Sequence, residues 1–229
     1  MTYSRTFGRW YDFLMQFLEK PWLRHRRARL LAGLRGRILE VGAGTGINFE
    51  HYHTEAEVIG IEPSPWMIRQ AVARKKQSPN GARIILYQTG CGDPQLHEIV
   101  EENSLDHIVC TLVLCTIPDA GAALRDFGKW LKPGGQLIVL EHIRSHHRHI
   151  GRLQDILRPA WARLADGCQL NRPTDKLIAG AGFVPLRQEW FRVGLPFYEG
   201  VWVKGSDLLE QAKDQTRFEN DPGNHRKGI

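Results

Sequence analysis

The spacing of apolar residues changes several times along the chain, and each change predicts an element. Phe7, Trp10, Tyr11, Leu14 and Leu18 recur at three- and four-residue intervals. Residues 1 to about 32 therefore predict helix, interrupted at Pro21, with a second, basic helix continuing to Leu34. From residue 38 the pattern condenses into short apolar runs over 38–41, 58–61, 83–87, 105–113 and 136–141. Runs of this length predict strands covered on both faces. Helical periods separate them. One runs from Met67 to about Lys76 and stops at the turn Ser78-Pro79-Asn80-Gly81. A second is capped by Pro118-Asp119 and buries Ala120, Leu124, Phe127 and Leu131. Residues 150–165 predict an amphipathic helix broken near Pro159, and 174–182 a helix with Thr174 as its cap. Residues 183–193 and 197–203 read as two final strands joined through Gly194 and Pro196. Alternating strands and helices predict an α/β fold with a largely parallel sheet. Polar residues from about 214 onward, including Asn220-Asp221-Pro222-Gly223, predict a disordered tail. No internal repeat or second domain is visible.

The stretch that organises this pattern is Ile38-Leu39-Glu40-Val41-Gly42-Ala43-Gly44-Thr45-Gly46-Ile47-Asn48-Phe49, an apolar strand, a glycine-rich turn and a helix start. Glycines at alternate positions let the backbone take positive φ and approach a ligand closely. A dinucleotide fingerprint wants G-x-G-x-x-G, and its third glycine is replaced here by Ile47. No Gly-Lys-Ser/Thr follows, which excludes a P-loop. A plain structural turn and a turn built for another nucleoside ligand remain. The next apolar run ends in Glu62. In a doubly wound sheet, ligands sit beyond the carboxyl ends of the strands, where such an acid can accept from ribose hydroxyls. Its other reading is a solvated loop acid.

Composition adds limits. The 229 residues suit one α/β domain with terminal additions, and 42% hydrophobic residues suffice for a core. The net charge is +6 and the pI about 9.3. The clustered Arg24, Arg26, Arg27 and Arg29 offer either a solvated helix face or a peripheral contact with anionic lipid, worth about 1 kcal/mol per charge. Basic charge without interleaved aromatics argues against a strand-binding groove for nucleic acid. The four cysteines, Cys91, Cys110, Cys115 and Cys168, show no C-x-x-C spacing, and reduced thiols in a cytoplasmic protein are expected. No apolar run is long enough to span a bilayer, and the amino terminus lacks a signal peptide's apolar core. No oligomeric state follows.

Glu40 to Gly46 resembles the E-x-G-x-G-x-G turn of class I S-adenosylmethionine-dependent methyltransferases. The resemblance implies a Rossmann-like, seven-stranded, mostly parallel sheet of order 3-2-1-4-5-7-6, with helices on both faces and an antiparallel last pair. It implies a helical lid over residues 1–34, with Tyr3, Trp10 and Tyr11 at the acceptor site, a methyltransferase domain over 35–206 and a tail over 207–229. It implies S-adenosyl-L-methionine as cofactor, contacted by Glu40, Gly42, Ala43, Gly44, Gly46, Glu62, Pro63, Met67, Gly92, Asp93, Thr111 and Leu112. Asp93 is equally readable as a turn aspartate before Pro94. Glu62 stands where the family usually has Asp.

Thr111-Leu112-Val113-Leu114-Cys115, Lys132-Pro133-Gly134-Gly135, Glu141-His142, Pro159-Ala160-Trp161 and Asp166-Gly167-Cys168-Gln169-Leu170-Asn171-Arg172 narrow the likeness. From roughly residue 37 to 204 the chain resembles the methyltransferase-like alkyl-thiol S-methyltransferases and bacterial relatives acting on hydrogen sulfide and methanethiol. Mammalian members carry an amino-terminal membrane anchor. No such segment is visible here, so membrane residence is not expected.

A free thiol with a pKa near 8.5 is a few per cent thiolate at neutral pH, so a base of modest strength suffices. His142, leaving the fifth strand, is the candidate base and Asp166 the alternative. His142 is equally readable as a packing histidine. The histidine and cysteine spacings match no known metal site, and none is assigned. Three function classes follow: methylation of a small thiol; methylation of a phospholipid headgroup or quinone precursor; and non-catalytic cofactor binding. No Asn-Pro-Pro-Tyr-type segment follows the fourth strand, where Cys115-Thr116-Ile117-Pro118 stands, which argues against nucleic-acid amino-methylation.

Overall fold

The computed structural model describes residues 22–77, 81–165 and 167–208. Its elements are α1 (Arg24–Leu31), β1 (Gly36–Val41), a short 3-10 turn (Phe49–His51), β2 (Ala56–Ile61), α2 (Pro65–Gln77), β3 (Arg83–Tyr87), α3 (Gln95–Ile99) and β4 (Leu105–Thr111). They continue with α4 (Ala120–Trp130), β5 (Leu131–His142), α5 (Arg148–Leu164), α6 (Thr174–Gly180), β6 (Phe183–Val193) and β7 (Leu195–Lys204). The sheet order is β3-β2-β1-β4-β5-β7-β6, as anticipated. β1 to β5 run parallel, and β7 pairs antiparallel with both β5 and β6.

Strand side chains alternate between two buried layers. Leu39, Val41, Ile108, Cys110, Leu137 and Val139 face Leu124, Phe127, Trp130 and Ile178. Ile38, Val58, Val109, Ile138 and Leu140 face Leu30, Leu31, Phe49 and Ala71. Covering on both faces is why these strands read as continuous apolar runs rather than alternating ones. α4 begins where the Asp119 carboxylate accepts from Ala122 N at 2.8 Å, a cap worth about 1 kcal/mol.

Two expectations change. Helix α5 passes through Pro159 without a break. Proline removes one helical hydrogen bond, but residues 155–160 are all exposed, so water serves the freed carbonyl. Thr174 is the first residue of α6, and Pro173, not Thr174, holds the cap position. The proposed lid aromatics Tyr3, Trp10 and Tyr11, the polar tail beyond 208 and Asp166 lie outside the described residues.

The basic cluster turns inward. Arg26 Nη1 donates to Glu199 at 2.9 Å and its Nη2 to Glu189 at 2.9 Å, while Arg29 bonds both acids. The Arg26 guanidinium lies 3.6 Å from the centroid of the Phe191 ring. Arg24 pairs with Glu50 at 3.3 Å. Arg27 is buried beneath the glycine turn. Arg27 is buried and so drops out of any lipid-facing patch, whereas Arg24 and Arg29 stay exposed beside acidic partners. Among the described residues, no helix is long and apolar enough to cross a membrane.

Candidate active site

β1 delivers the chain to the sheet's carboxyl edge, where Gly42, Gly44 and Gly46 take φ of +66°, +56° and +79°. The three glycines do different work. A Cβ on Gly42 would lie 2.9 Å from Val113 Cβ and closer still to its Cγ2. One on Gly46 would lie 2.7 Å from Phe49 Cδ2. One on Gly44 would meet nothing nearer than the Gly42 carbonyl oxygen at 3.9 Å, so open space stands before it. The turn is tied to the neighbouring strand. Ala43 N donates to Ile61 O at 2.9 Å, Gly44 N to Glu62 Oε2 at 3.0 Å, and Ser64 N to Glu62 Oε1 at 2.8 Å. Burial raises the Glu62 pKa, and these backbone bonds act against the rise. A carboxylate offers about four lone-pair sites, so about two remain for hydroxyl groups. Open space at Gly44 beside an acid with spare acceptor capacity fits a nucleoside cofactor.

Behind the turn lies a buried polar network not foreseen from sequence. Arg27 Nη1 donates to Asn48 Oδ1 and to Thr111 Oγ1, each at 2.8 Å. Asn48 Nδ2 donates to Glu40 Oε1 at 2.7 Å and to Thr111 Oγ1 at 3.0 Å. Burial pushes Glu40 up to about 7, against hydrogen bonds from Asn48 and Tyr52 and the charge of Arg27. The expected contact residues Glu40 and Thr111 are thus brought together, bonded to each other's neighbours beneath the turn. Met67 and Pro63 sit at the start of α2, with Met67 N 3.3 Å from Ser64 Oγ. Asp93 follows Gly92 (φ +90°) and accepts from Gln95 N at 3.0 Å, opening α3 as a turn aspartate would.

The chain leaving β4 makes the next wall. Leu112 has a φ of +56°, unusual for a side chain of its size, and its N–H reaches Leu140 O at 2.8 Å. Glu141 Oε1 then accepts from Val113 N at 2.7 Å and Leu114 N at 2.8 Å, fixing the reversal. Burial raises Glu141 to about 7, against the charge of His142 and those two backbone bonds. Segment 167–172 docks on the same turn: Gln169 N donates to Cys115 O at 2.9 Å, and Arg172 Nη1 donates to the carbonyls of Leu114 and Ile117.

These contacts gather three side chains. His142 Nε2 lies 3.0 Å from Cys168 Sγ, and Cys168 Sγ lies 3.5 Å from Cys115 Sγ. All three side chains are buried, and Trp161 Nε1 donates to Cys168 Sγ at 3.4 Å. The hydrogen bond with Cys115 is the main cause holding Cys168 well below the usual thiol range, helped against burial by His142 and Trp161. That same bond, then burial, drives Cys115 well above it. Burial alone would lower His142, but its bond to Cys168 and the thiolate charge outweigh burial and leave it raised. The candidate base is therefore engaged by sulfur. Partners lying 26 and 53 residues apart in the chain gave no local spacing by which to find them.

Comparison with known proteins agrees with the geometry. A family model for a methyltransferase domain matches residues 14–178. The thiol S-methyltransferase TMT1B of Rattus norvegicus is 34% identical over 157 residues, 67% of this chain and 62% of the rat protein. The thiol S-methyltransferase TMT1A of Homo sapiens is 31% identical over 167 residues, 72% of this chain and 67% of that protein. More distant relatives include a ubiquinone/menaquinone biosynthesis C-methyltransferase of Syntrophotalea carbinolica and a phosphatidylethanolamine N-methyltransferase of Cereibacter sphaeroides, 34% and 28% identical over 139 and 142 residues. Among solved structures, an S-adenosylmethionine-dependent methyltransferase of Thermotoga maritima aligns with a TM-score of 0.57 at 20% identity, covering 85% of this chain and 96% of that one. The sheet order, the open glycine turn with its partner acid and the matched family together identify the chain as a member of the methyltransferase-domain family, a class I enzyme that uses S-adenosyl-L-methionine.

Proposed function

We propose that the enzyme transfers the methyl group to the sulfur of a small thiol. The observation carrying this reading is that segment 167–172, part of a stretch by which the chain resembles the thiol-methylating family, is bonded onto the turn after β4. That turn also touches the glycine turn through Val113 and Gly42. When bound, S-adenosylmethionine supplies an already activated methyl on a sulfonium, open to in-line displacement. Glu62 would hold the ribose hydroxyls, the open space at Gly44 would admit the methionyl portion, and Asp93 and Met67 would hold the adenine. Residues 113–115 would line the acceptor side, and Trp161 packs over the sulfur cluster. Holding the acceptor in line lowers the barrier chiefly by proximity. His142, through its pair with Cys168, holds the sulfur cluster on the acceptor side of the site.

The alternative acceptors, a phospholipid headgroup or a quinone precursor, are those named for the more distant methyltransferase relatives. The deciding experiment incubates the enzyme with S-adenosylmethionine and hydrogen sulfide or methanethiol, with headspace gas chromatography as readout, beside a quinone precursor. Volatile sulfide is expected. Methylated quinone without volatile sulfide overturns the thiol assignment.

A further inference from the structure

We propose that Cys115, His142 and Cys168 form a binding site for a zinc(II) ion whose fourth position takes the acceptor thiol as its thiolate. This deepens the thiol reading and, for the identity of the fourth ligand, rests on it.

Two sulfurs and an imidazole nitrogen lie with every ligand atom within 4.8 Å of the others. Zinc bonds thiolate at about 2.3 Å and imidazole at about 2.0–2.1 Å, and tetrahedral angles then separate ligand atoms by roughly 3.4–3.8 Å. The separations of 3.0 Å (Nε2 to Cys168 Sγ) and 3.5 Å (Sγ to Sγ) need only small side-chain rotations to meet that shape. A tetrahedral set of two sulfurs and one nitrogen suits zinc among the common divalent ions.

Thiols are weak hydrogen-bond donors and acceptors. His142 Nδ1 is buried and has no hydrogen-bond partner among the described residues, so the imidazole meets only sulfur. Polar groups are seldom buried on so little. A cation held by Nε2 and both sulfurs replaces these weak sulfur contacts with coordination bonds, while Nδ1 gains nothing from it.

The ligands come from three separate segments, each fixed by its backbone. Glu141 holds the turn carrying Cys115 through Val113 N and Leu114 N. His142 ends β5, paired with Phe197 of β7. Cys168 is fixed between the Cys168 N to Ala165 O bond at 2.8 Å and the Gln169 N to Cys115 O bond at 2.9 Å. The Trp161 N–H on Cys168 Sγ is an outer-shell bond of the kind that orients a metal-bound thiolate.

Three protein ligands leave one position open, the pattern of catalytic rather than structural zinc. The step then balances. The acceptor R–SH binds through sulfur and releases its proton to solvent, because a coordinating thiol is deprotonated outright. A lone pair of that sulfur forms the new S–CH3 bond while the bond from the methyl carbon to the sulfonium breaks, its electron pair staying on the cofactor sulfur. The neutral thioether R–S–CH3 is a weak ligand and departs.

The test uses the full chain, reduced and stripped of metal with a chelator. Zinc(II) or cobalt(II) is added, and bound metal is measured by atomic emission after dialysis. One equivalent per chain is expected. The cobalt form should show sulfur-to-cobalt charge-transfer absorption, and that band should shift when methanethiol is added. Cys168→Ser and Cys115→Ser should each weaken retention at least tenfold while S-adenosylmethionine binding, followed by calorimetry, stays within twofold. X-ray absorption on the unmodified cobalt form, reporting two sulfur neighbours, keeps the site testable should a variant not fold. Absence of stoichiometric metal in the reduced unmodified chain, or equal retention in Cys115→Ser/Cys168→Ser, overturns the site. Full-rate thiol methylation by stripped enzyme overturns the metal's role and leaves the thiol reading intact. Metal binding with a thiol-induced shift but no sulfide product supports the site and overturns the thiol as methyl acceptor.

Discussion

Gly42 and Gly44 stand two residues apart with nearly the same φ, yet alanine at each should fail differently. At Gly42 the new methyl would lie 2.9 Å from Val113 Cβ and closer to Cγ2. Two costs add there: roughly 1–2 kcal/mol for a side chain at positive φ, and about 1–3 kcal/mol for overpacking a filled site. A chain of this size loses about 2–4 °C of Tm per kcal/mol, so Gly42→Ala should melt roughly 4–20 °C below the unaltered protein. At Gly44 the same methyl meets open space, so only the backbone cost applies and Tm should fall by roughly 2–8 °C. Its larger effect should be on the ligand, because the methyl occupies the volume assigned to the cofactor. A packing conflict of about 1–3 kcal/mol weakens Kd roughly 5- to 150-fold. Differential scanning fluorimetry without ligand measures the first effect, and calorimetric titration with S-adenosylmethionine the second. Gly44→Ala with unchanged cofactor affinity would refute the placement of the ligand. Gly42→Ala with an unchanged Tm would refute the contact between the glycine turn and the turn after β4.

Four further outcomes are expected. Glu62→Ala should weaken S-adenosylmethionine binding by about 1.5–3 kcal/mol, the scale of a charge-assisted hydrogen bond; undiminished affinity by calorimetry would remove Glu62 from the ribose site. His142→Ala should cut the rate of volatile sulfide formation at least roughly tenfold, about 1.4 kcal/mol in barrier, with cofactor affinity intact; normal turnover at pH 7 would remove it from the mechanism. Arg27→Met should destabilise the fold by about 3–5 kcal/mol, because it strips a buried network of its cation; a urea-derived loss under 1 kcal/mol would contradict the burial. Glu40 ionises near 4.5 unfolded and about 7 folded, so the folded chain holds the extra proton and its stability falls as pH rises through that window. Glu40→Gln should reduce the drop in ligand-free stability between pH 5 and pH 8 by about 3 kcal/mol, and identical urea curves for the two proteins would show Glu40 ionised throughout.

The parts of this site legible in the sequence are those whose chemistry is local. Gly42, Gly44 and Gly46 declare themselves because a turn needs positive φ within five residues, and Glu62 because it ends an apolar run. The strands were legible because two-sided burial leaves unbroken apolar runs. Pro159 misled because a proline's effect depends on solvent, and its helix is exposed there.

Long-range contacts follow another logic. Arg26 and Arg29 read as surface charge because their partners, Glu189 and Glu199, lie 160 to 173 residues away and come alongside only when β6 and β7 fold back onto β5. Arg27 differs from its neighbours in nothing but its position on the helix, and that position aims it at Asn48 and Thr111. Glu141 looked like a strand-end acid, yet it holds the turn after β4 by two backbone N–H groups and so fixes where Val113 and Cys115 stand. The consequence is a division within the site. The residues proposed to grip the cofactor lie mostly in two short stretches, 40–46 and 62–67, each legible on its own. The proposed acceptor side is assembled from the ends of β4 and β5 and the loop after α5, so acceptor choice can change there without disturbing a residue of the glycine turn.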